Sequence, residues 1–166
     1  MDAFQGQIVE LMPRLRRLAR ALARDHADAD DLTQLTLERA LQRRGQWQAG
    51  TRLDSWVFRI MRNAWIDEAR SRGRQARVFE PPTAGETVAD PAAPDMETRL
   101  AAREVERAMA ELPEDQRLAV ALVLVDGLSY REAAEVMETP VGTLTSRLVR
   151  GRMALLARLQ GAEVQP

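Results

Sequence analysis

The chain has no cysteine and no lysine. The first absence excludes a disulfide framework and any thiolate metal site. The second leaves arginine as the only basic residue, supplying all 24 basic side chains. There is a single histidine, His26, in a polar stretch where a solvated ring is expected rather than a general base. Glycine-rich phosphate loops and nucleophile elbows are missing, so an enzyme is not expected. Asp25 to Asp31 holds several carboxylates but lacks the central glycine and closing glutamate of a calcium loop. No metal and no cofactor are therefore expected. Aromatics are scarce at 4%, and no apolar run reaches membrane-spanning length. Met1-Asp2-Ala3 leads straight into an amphipathic pattern, so no signal peptide is expected and the location should be cytoplasmic.

What is present is unevenly charged. The net charge is only −1, but residues 1–77 carry 15 Arg against 10 acids, a balance of +5. Residues 78–138 carry 5 against 14 (−9), and residues 139–166 carry 4 against 1 (+3). Two basic blocks flanking an acidic middle suit two nucleic-acid-facing parts and a connector that avoids DNA.

The apolar periodicity is helical throughout, which predicts an all-α fold. Ile8, Leu11, Met12, Leu15, Leu18, Ala19 and Leu22 trace one face of a first helix over about residues 4–24, interrupted by Pro13. Its arginines (14, 16, 17, 20 and 24) read as a solvated face. A second helix is expected from near Asp28 to Arg43, its first-turn aspartates complementing the helix dipole. Leu32, Leu35, Leu37, Ala40 and Leu41 wrap more widely around it than one core face needs, leaving room for a partner helix outside. Gly45 and Gly50 bracket a break holding Trp47. A third helix follows over about residues 51–71. Leu53, Trp56, Val57, Ile60 and Ala64 build its core face, with Arg59, Arg62, Asn63, Ile66 and Arg70 opposite and Phe58 and Trp65 on a third edge. Arginine and asparagine beside aromatics suit the holding of strands and the stacking of bases, although a solvated helix with an aromatic core edge has the same composition.

Residues 78–94 are proline-rich, aperiodic and acidic, and read as a linker. The second domain begins near Asp95. One helix carries Leu100, Val105, Ala108, Met109 and Leu112 and ends at Pro113; another runs from Glu114 to about Val125 and is apolar enough to be buried. Ser129 with Glu132 forms a capping box for a short helix bearing Ala133, Ala134 and Met137. Thr139-Pro140 reads as an N-cap and first turn of a last helix. In that helix Leu144, Leu148, Leu155 and Leu159 should face the core. Thr143, Ser146, Arg147 and Arg150 share another face that has no acidic residue. Such a helix suits a major groove, where Arg forks onto guanine and hydroxyls reach phosphates; a plain αα-hairpin with solvated arginines would look alike.

Three stretches together resemble bacterial sigma factors of the extracytoplasmic-function (ECF) group, in the sigma-70 family. ADADDLTQLTLERAL is similar to the family's second helix, through Asp31-Leu32-Thr33-Gln34 and Ala40. SWVFRIMRNAWIDEARSR is similar to its third, through Arg62-Asn63 and Ile66, Asp67 and Arg70. The last region carries Leu112-Pro113, Gly127-Leu128-Ser129-Tyr130, Ala134 and Gly142-Thr143 with Ser146-Arg147-Leu148 where the family has them.

The resemblance implies a three-helix N-terminal sigma domain (1–77), a flexible linker (78–94) and a four-helix helix-turn-helix domain (95–160). It implies a promoter-specificity subunit whose partners are core RNA polymerase, promoter DNA and an anti-sigma factor. The second helix would dock on the polymerase through Asp31, Gln34 and Glu38. Trp47, Arg59, Arg62, Asn63 and Arg70 would open and hold the −10 element, and Thr143, Ser146, Arg147 and Arg150 would read the −35 element. The acidic linker would thread near the polymerase's RNA-exit path. Glu138 departs from the family, which often has Gly in that turn, and argues against a left-handed residue there. Two rival readings are a stand-alone helix-turn-helix regulator and a sigma-like decoy that sequesters an anti-sigma factor.

Overall fold

The structure is a computed structural model, which describes residues 2–75 and 95–163. Seven α-helices are present among them, and no strand: α1 (Ala3–Leu22), α2 (His26–Gln42), α3 (Leu53–Gln75), α4 (Met96–Ala110), α5 (Glu114–Val120), α6 (Tyr130–Met137) and α7 (Val141–Glu163). The segment read as a linker, 78–94, lies outside the described residues.

Local chemistry sets where the helices begin. The Asp2 carboxylate accepts from the Gln5 amide at 2.9 Å while the Gln5 side chain accepts from the Asp2 amide, a complete capping box. Asp25, rather than a residue near Asp28, caps α2 by accepting from the Asp28 amide at 2.8 Å. Asp95 caps α4 through Thr98, and Ser129 caps α6 through the Glu132 amide. The Glu132 carboxylate does not close that box; it pairs with Arg52. Thr139 is not a cap. Its hydroxyl is buried without a hydrogen-bond partner, and Pro140 precedes α7, which begins at Val141. Pro13 sits inside α1 without ending it, at the loss of one backbone bond to Val9.

α1, α2 and α3 pack on one another around Leu15, Leu18, Leu22, Leu32, Val57 and Met61, each 0–1% exposed. The predicted face of α1 is buried except Met12, with Phe4 added. Phe58 is fully buried and Trp65 nearly so, so the aromatic edge of α3 belongs to the core and offers no stacking plane. α5, α6 and α7 pack around Val120, Leu122, Val136 and Leu144. Leu155 and Leu159 are only partly covered. In α4 Ala108 and Met109 are buried, with Leu112 just beyond, but Leu100 and Val105 are exposed, so only the end of that helix is anchored.

α5 departs from expectation at its end. Ala121–Val125 continues as a π-helix, with the Asp126 amide donating to the Ala121 carbonyl five residues back. The wider turn swings Leu124 and Val125 to the surface, 51% and 42% exposed, where continuous burial was predicted. Gly127, at φ 84°, then reverses the chain into α6.

The turn between α6 and α7 is left-handed after all. Glu138 holds φ 54°, ψ 43°, which lets its amide and that of Thr139 satisfy the carbonyls ending α6. The αL backbone that Gly adopts freely costs a glutamate about 1–2 kcal/mol. The hairpin's packing, with Ala133 and Leu144 at 0% exposure, imposes it.

The two bundles lie against each other, α3 on α6 and α1 on α4 and the end of α5. Arg14, expected to be solvated, bridges them. It pairs with Asp54 at 3.1 Å and Asp126 at 2.8 Å, and lies 5.0 Å over the Phe58 ring. Arg117 donates to the carbonyls of Leu22, Ala110 and Leu112, tying the end of α1 to the end of α4, and lies 5.8 Å over Trp65.

Candidate nucleic-acid interface

The sequence-predicted residues fall on three surfaces. On α7, Leu144 and Leu148 point into the core, so helical geometry turns Thr143, Ser146, Arg147 and Arg150 away from it. Ser146 and Arg150 are exposed, Thr143 and Arg147 half-buried. Arg147 Nε lies 3.3 Å from an Asp115 carboxylate oxygen, so an acid from α5 stands beside this face. The small hydroxyls near the N-terminus and the arginines one and two turns later make a polar stripe to which α7 itself contributes no acid. That combination can hydrogen-bond to both base edges and phosphates.

On α3, Arg59, Arg62, Asn63 and Arg70 follow helical spacing opposite the buried Val57, Ile60, Met61 and Ala64. Asn63 and Arg70 are exposed. The Arg59 Nε is buried without a hydrogen-bond partner, and Arg62 is half-buried, its side chain 19% exposed. Arg62 donates to the Asn63 side-chain Oδ1 at 3.3 Å and pairs with Glu138 at 3.4 Å, so this face of α3 meets the α6–α7 turn. Trp47 is not gathered with these residues. It packs on Phe4, ring centroids 5.7 Å apart, beside Trp56, with Arg44 5.0 Å over Phe4. Its indole N–H is nonetheless buried without a partner, a donor left for another group to meet.

On α2, Asp31, Gln34 and Glu38 are exposed at three- and four-residue spacing, with Leu41 continuing their side at 48% exposure. Gln34 and Glu38 lie within 3.5 Å, and Leu35 and Leu37 are half-buried. The helix thus keeps a polar stripe with apolar shoulders.

Sequence reasoning missed the charged chain linking these surfaces. Arg14 is expected on a solvated face, yet it is the partner of Asp126, whose side chain is 1% exposed. Arg52, just before α3, reaches both Asp54 and Glu132. Burial pushes the Asp54 carboxyl up, but hydrogen bonds from Arg52, the Ser55 amide and Arg14 more than reverse this and hold it below 3.8. Arg14 is raised chiefly by its bond to Asp126. No sequence signal marks these pairs, because they join residues 40 and 112 positions apart.

Comparison with known proteins finds two family matches in order: sigma-70 region 2 over residues 8–75 and sigma-70 region 4 over residues 102–155. The chain is 36% identical to the ECF RNA polymerase sigma factor EcfG of Rhodopseudomonas palustris, over 98% of this chain and 89% of that one. It is 38% identical to the ECF RNA polymerase sigma factor SigM of Mycobacterium tuberculosis, over 89% of this chain and 72% of that one. Among solved structures it superposes on the sigma factor RpoE of Bartonella quintana, captured with the anti-sigma factor NepR. The TM-score is 0.80 at 30% identity, covering 96% and 98% of the two chains. The helices bearing the polar stripes of α2 and α3 lie in the first match and the stripe of α7 in the second. With both sigma-70 regions matched in order and 36% identity to an ECF sigma factor over nearly all of this chain, the chain belongs to the ECF group of RNA polymerase sigma factors.

Proposed function

We propose that this ECF sigma factor divides its work between an N-terminal domain (1–77) and a C-terminal helix-turn-helix domain (95–160), joined by residues 78–94. The observation that carries the reading is the division of α7 into a buried leucine face and a face of Thr143, Ser146, Arg147 and Arg150 to which the helix itself contributes no acid. These four residues read the −35 element in duplex DNA. Arg59, Arg62, Asn63 and Arg70 bind the −10 element once its strands part, where cations hold phosphates and the asparagine amide meets a base edge. Trp47 joins them only by leaving Phe4, and its unpartnered indole N–H supports such a move.

Asp31, Gln34, Glu38 and Leu41 form the contact with core RNA polymerase, supported by an exposed polar stripe ending in an exposed leucine. An anti-sigma factor is the remaining partner, by likeness to RpoE, which was solved bound to one. The protein specifies promoters and performs no catalysis of its own. Among the described residues no helix is long and apolar enough to cross a membrane, which fits work in the cytoplasm.

The test is co-elution of the purified protein with bacterial core polymerase, followed by transcription from a promoter library. Co-elution with new start sites is expected, and Arg147→Ala should lose roughly tenfold in promoter use, about 1.4 kcal/mol within the range of a bidentate base contact. Loss confined to promoters with an intact upstream element identifies the residue's role; normal transcription by the variant refutes it. Tight binding to duplex DNA without polymerase would indicate a stand-alone regulator, and binding to neither would indicate a decoy.

A further inference from the structure

The arginines of α1 divide by what the fold gives them. Arg14 is matched to two carboxylates, Asp54 and Asp126. Arg16, Arg17 and Arg20, with Arg24 just past the end of the helix, are exposed and have no ion pair or hydrogen bond among the described residues. At about 100° per residue, Arg16, Arg17 and Arg20 fall within an arc of about 100°. That arc lies opposite the buried Leu11, Leu15, Leu18 and Leu22, so it faces away from the bundle. Arg24 carries the charge further, lining a small cleft with Arg20, Ala23 and His26 where α1 gives way to α2. The acids nearby leave this surface cationic. Glu10 is the one acid of α1. Asp25 and Glu106 also line the cleft, but Asp25 is engaged by the Asp28 amide, and Glu106 makes no ion pair among the described residues.

Four cations that nothing in the described fold answers repel one another, and their cost to the chain points to an anionic partner. A protein partner is held through apolar and aromatic anchors, with charge at the rim. This face has none: Phe4 is buried, and Val9 is the one exposed large apolar side chain of α1. Nucleic-acid interfaces are polar and strongly cationic, as this face is. The spacing agrees. Arg16 and Arg20 stand one turn apart, about 6 Å along the axis, close to the width of a minor groove, so the pair can reach a phosphate on each side of it. We propose that the outer face of α1, formed by Arg16, Arg17 and Arg20 with Arg24 at its end, is a further DNA-binding surface that grips the phosphate backbone of duplex DNA without reading its sequence. It is separate from the faces assigned to the −10 and −35 elements and does not depend on those assignments.

Counterion release is the signature. Each neutralised phosphate adds about 0.9 to the steepness with which log affinity falls against log salt, so four contacts make about 3.6. Between about 50 and 200 mM salt that alone weakens binding on the order of a hundredfold. The full chain is titrated onto a fluorescent duplex of arbitrary sequence, about three helical turns long, across that range. Arg16→Gln/Arg17→Gln/Arg20→Gln/Arg24→Gln should flatten the slope by about 3 to 4 and weaken binding at the low-salt end by about tenfold or more. Helicity should be retained, because all four side chains stand in solvent. Lysine at the same four positions keeps the charge and should keep the slope. Arg43→Gln/Arg103→Gln/Arg107→Gln, exposed arginines off this face, sets the baseline for charge removal alone.

A parent chain that fails to bind the duplex at the low-salt end overturns the proposal. So does a glutamine variant with the parent's slope, or a control that flattens the slope as much for each charge removed. A lysine variant as flat as the glutamine one shows that charge is not what these positions supply, and overturns it as well. Tighter binding of the parent to poly-glutamate than to the duplex at equal salt assigns the face to an acidic protein instead. Should the quadruple glutamine variant lose helicity, Arg16→Gln/Arg20→Gln alone decides: the slope should flatten by about 2, and an unchanged slope overturns the contact.

Discussion

At Gly151, α7, which carries the proposed upstream DNA contact, is pressed against α5. A β-carbon at this position would stand 2.8 Å from a Val120 methyl, 3.1 Å from the Gln116 carbonyl oxygen and 3.2 Å from the Gln116 β-carbon. Carbon atoms in contact prefer about 3.5–4.0 Å, so relief demands a shift of roughly 0.7 Å or more. Val120 is 1% exposed and the Gln116 oxygen is backbone, so neither neighbour can swing aside alone. Gly151→Ala gains about 1 kcal/mol of helix propensity. Overpacking a close-packed site costs about 1–3 kcal/mol. The clash outweighs the propensity, and a net loss of about 1 kcal/mol is expected.

Urea denaturation followed by far-ultraviolet circular dichroism measures the loss. Repeating it in a Val120→Ala background separates the causes, since that change removes the closest contact and leaves the others. The substitution at 151 should then cost less than in the parent, a positive coupling between neighbouring sites. A Gly151→Ala protein more stable than the parent, or one whose penalty ignores Val120, would refute the packing argument. Because the relief comes from moving α7 off α5, the same variant should also lose transcription dependent on the upstream element.

Leu41→Ser should leave the thermal midpoint within about a degree, because the leucine is 48% exposed, yet weaken co-elution with core polymerase; retained co-elution would exclude Leu41 from that contact. Asp25→Ala removes the carboxylate that caps α2 and should lower stability by about 1 kcal/mol, read as a shift of a few degrees in calorimetry. Leu32→Ala, at a fully buried site of the same helix, should cost about 2–5 kcal/mol by denaturant titration. Asp54 titrates below 3.8 in the folded chain, so its contribution is complete above that pH and is lost as pH falls through the lower folded value. Stability measured from pH 5 to 2 should therefore decline less steeply in Asp54→Asn than in the parent.

The helices were legible because each residue's periodicity and caps are local. Asp95, Ser129 and the α1 leucines lie where the pattern placed them, as do Leu53, Val57, Ile60 and Ala64 of α3, whereas Trp56 is half-buried and Phe58 and Trp65 join the core. Helix ends set by hydrogen bonds at one residue were less so: Asp25 competes with Asp28 as a cap, and Thr139 with Pro140. The face of α7 could be read from leucine spacing alone, whereas Trp47 could not be placed, because a glycine-flanked tryptophan gives no sign that Phe4 is its neighbour. The seam between the bundles was illegible for a different reason. Arg14 and Asp126 belong to helices whose own patterns are complete without them, and only tertiary packing makes them partners.

The π-helix of Ala121–Val125 sets the phase of everything after it. Each residue in a regular helix turns the chain by about 100°, so a single residue taken up in a wider turn offsets all later side chains by about that angle. Deleting one residue there would let α5 close into regular α-helix and re-aim Asp126, α6 and α7 together, with no change to their sequences. The direction in which α7 faces is thus written partly in a count: how many residues stand between Val120 and Gly127.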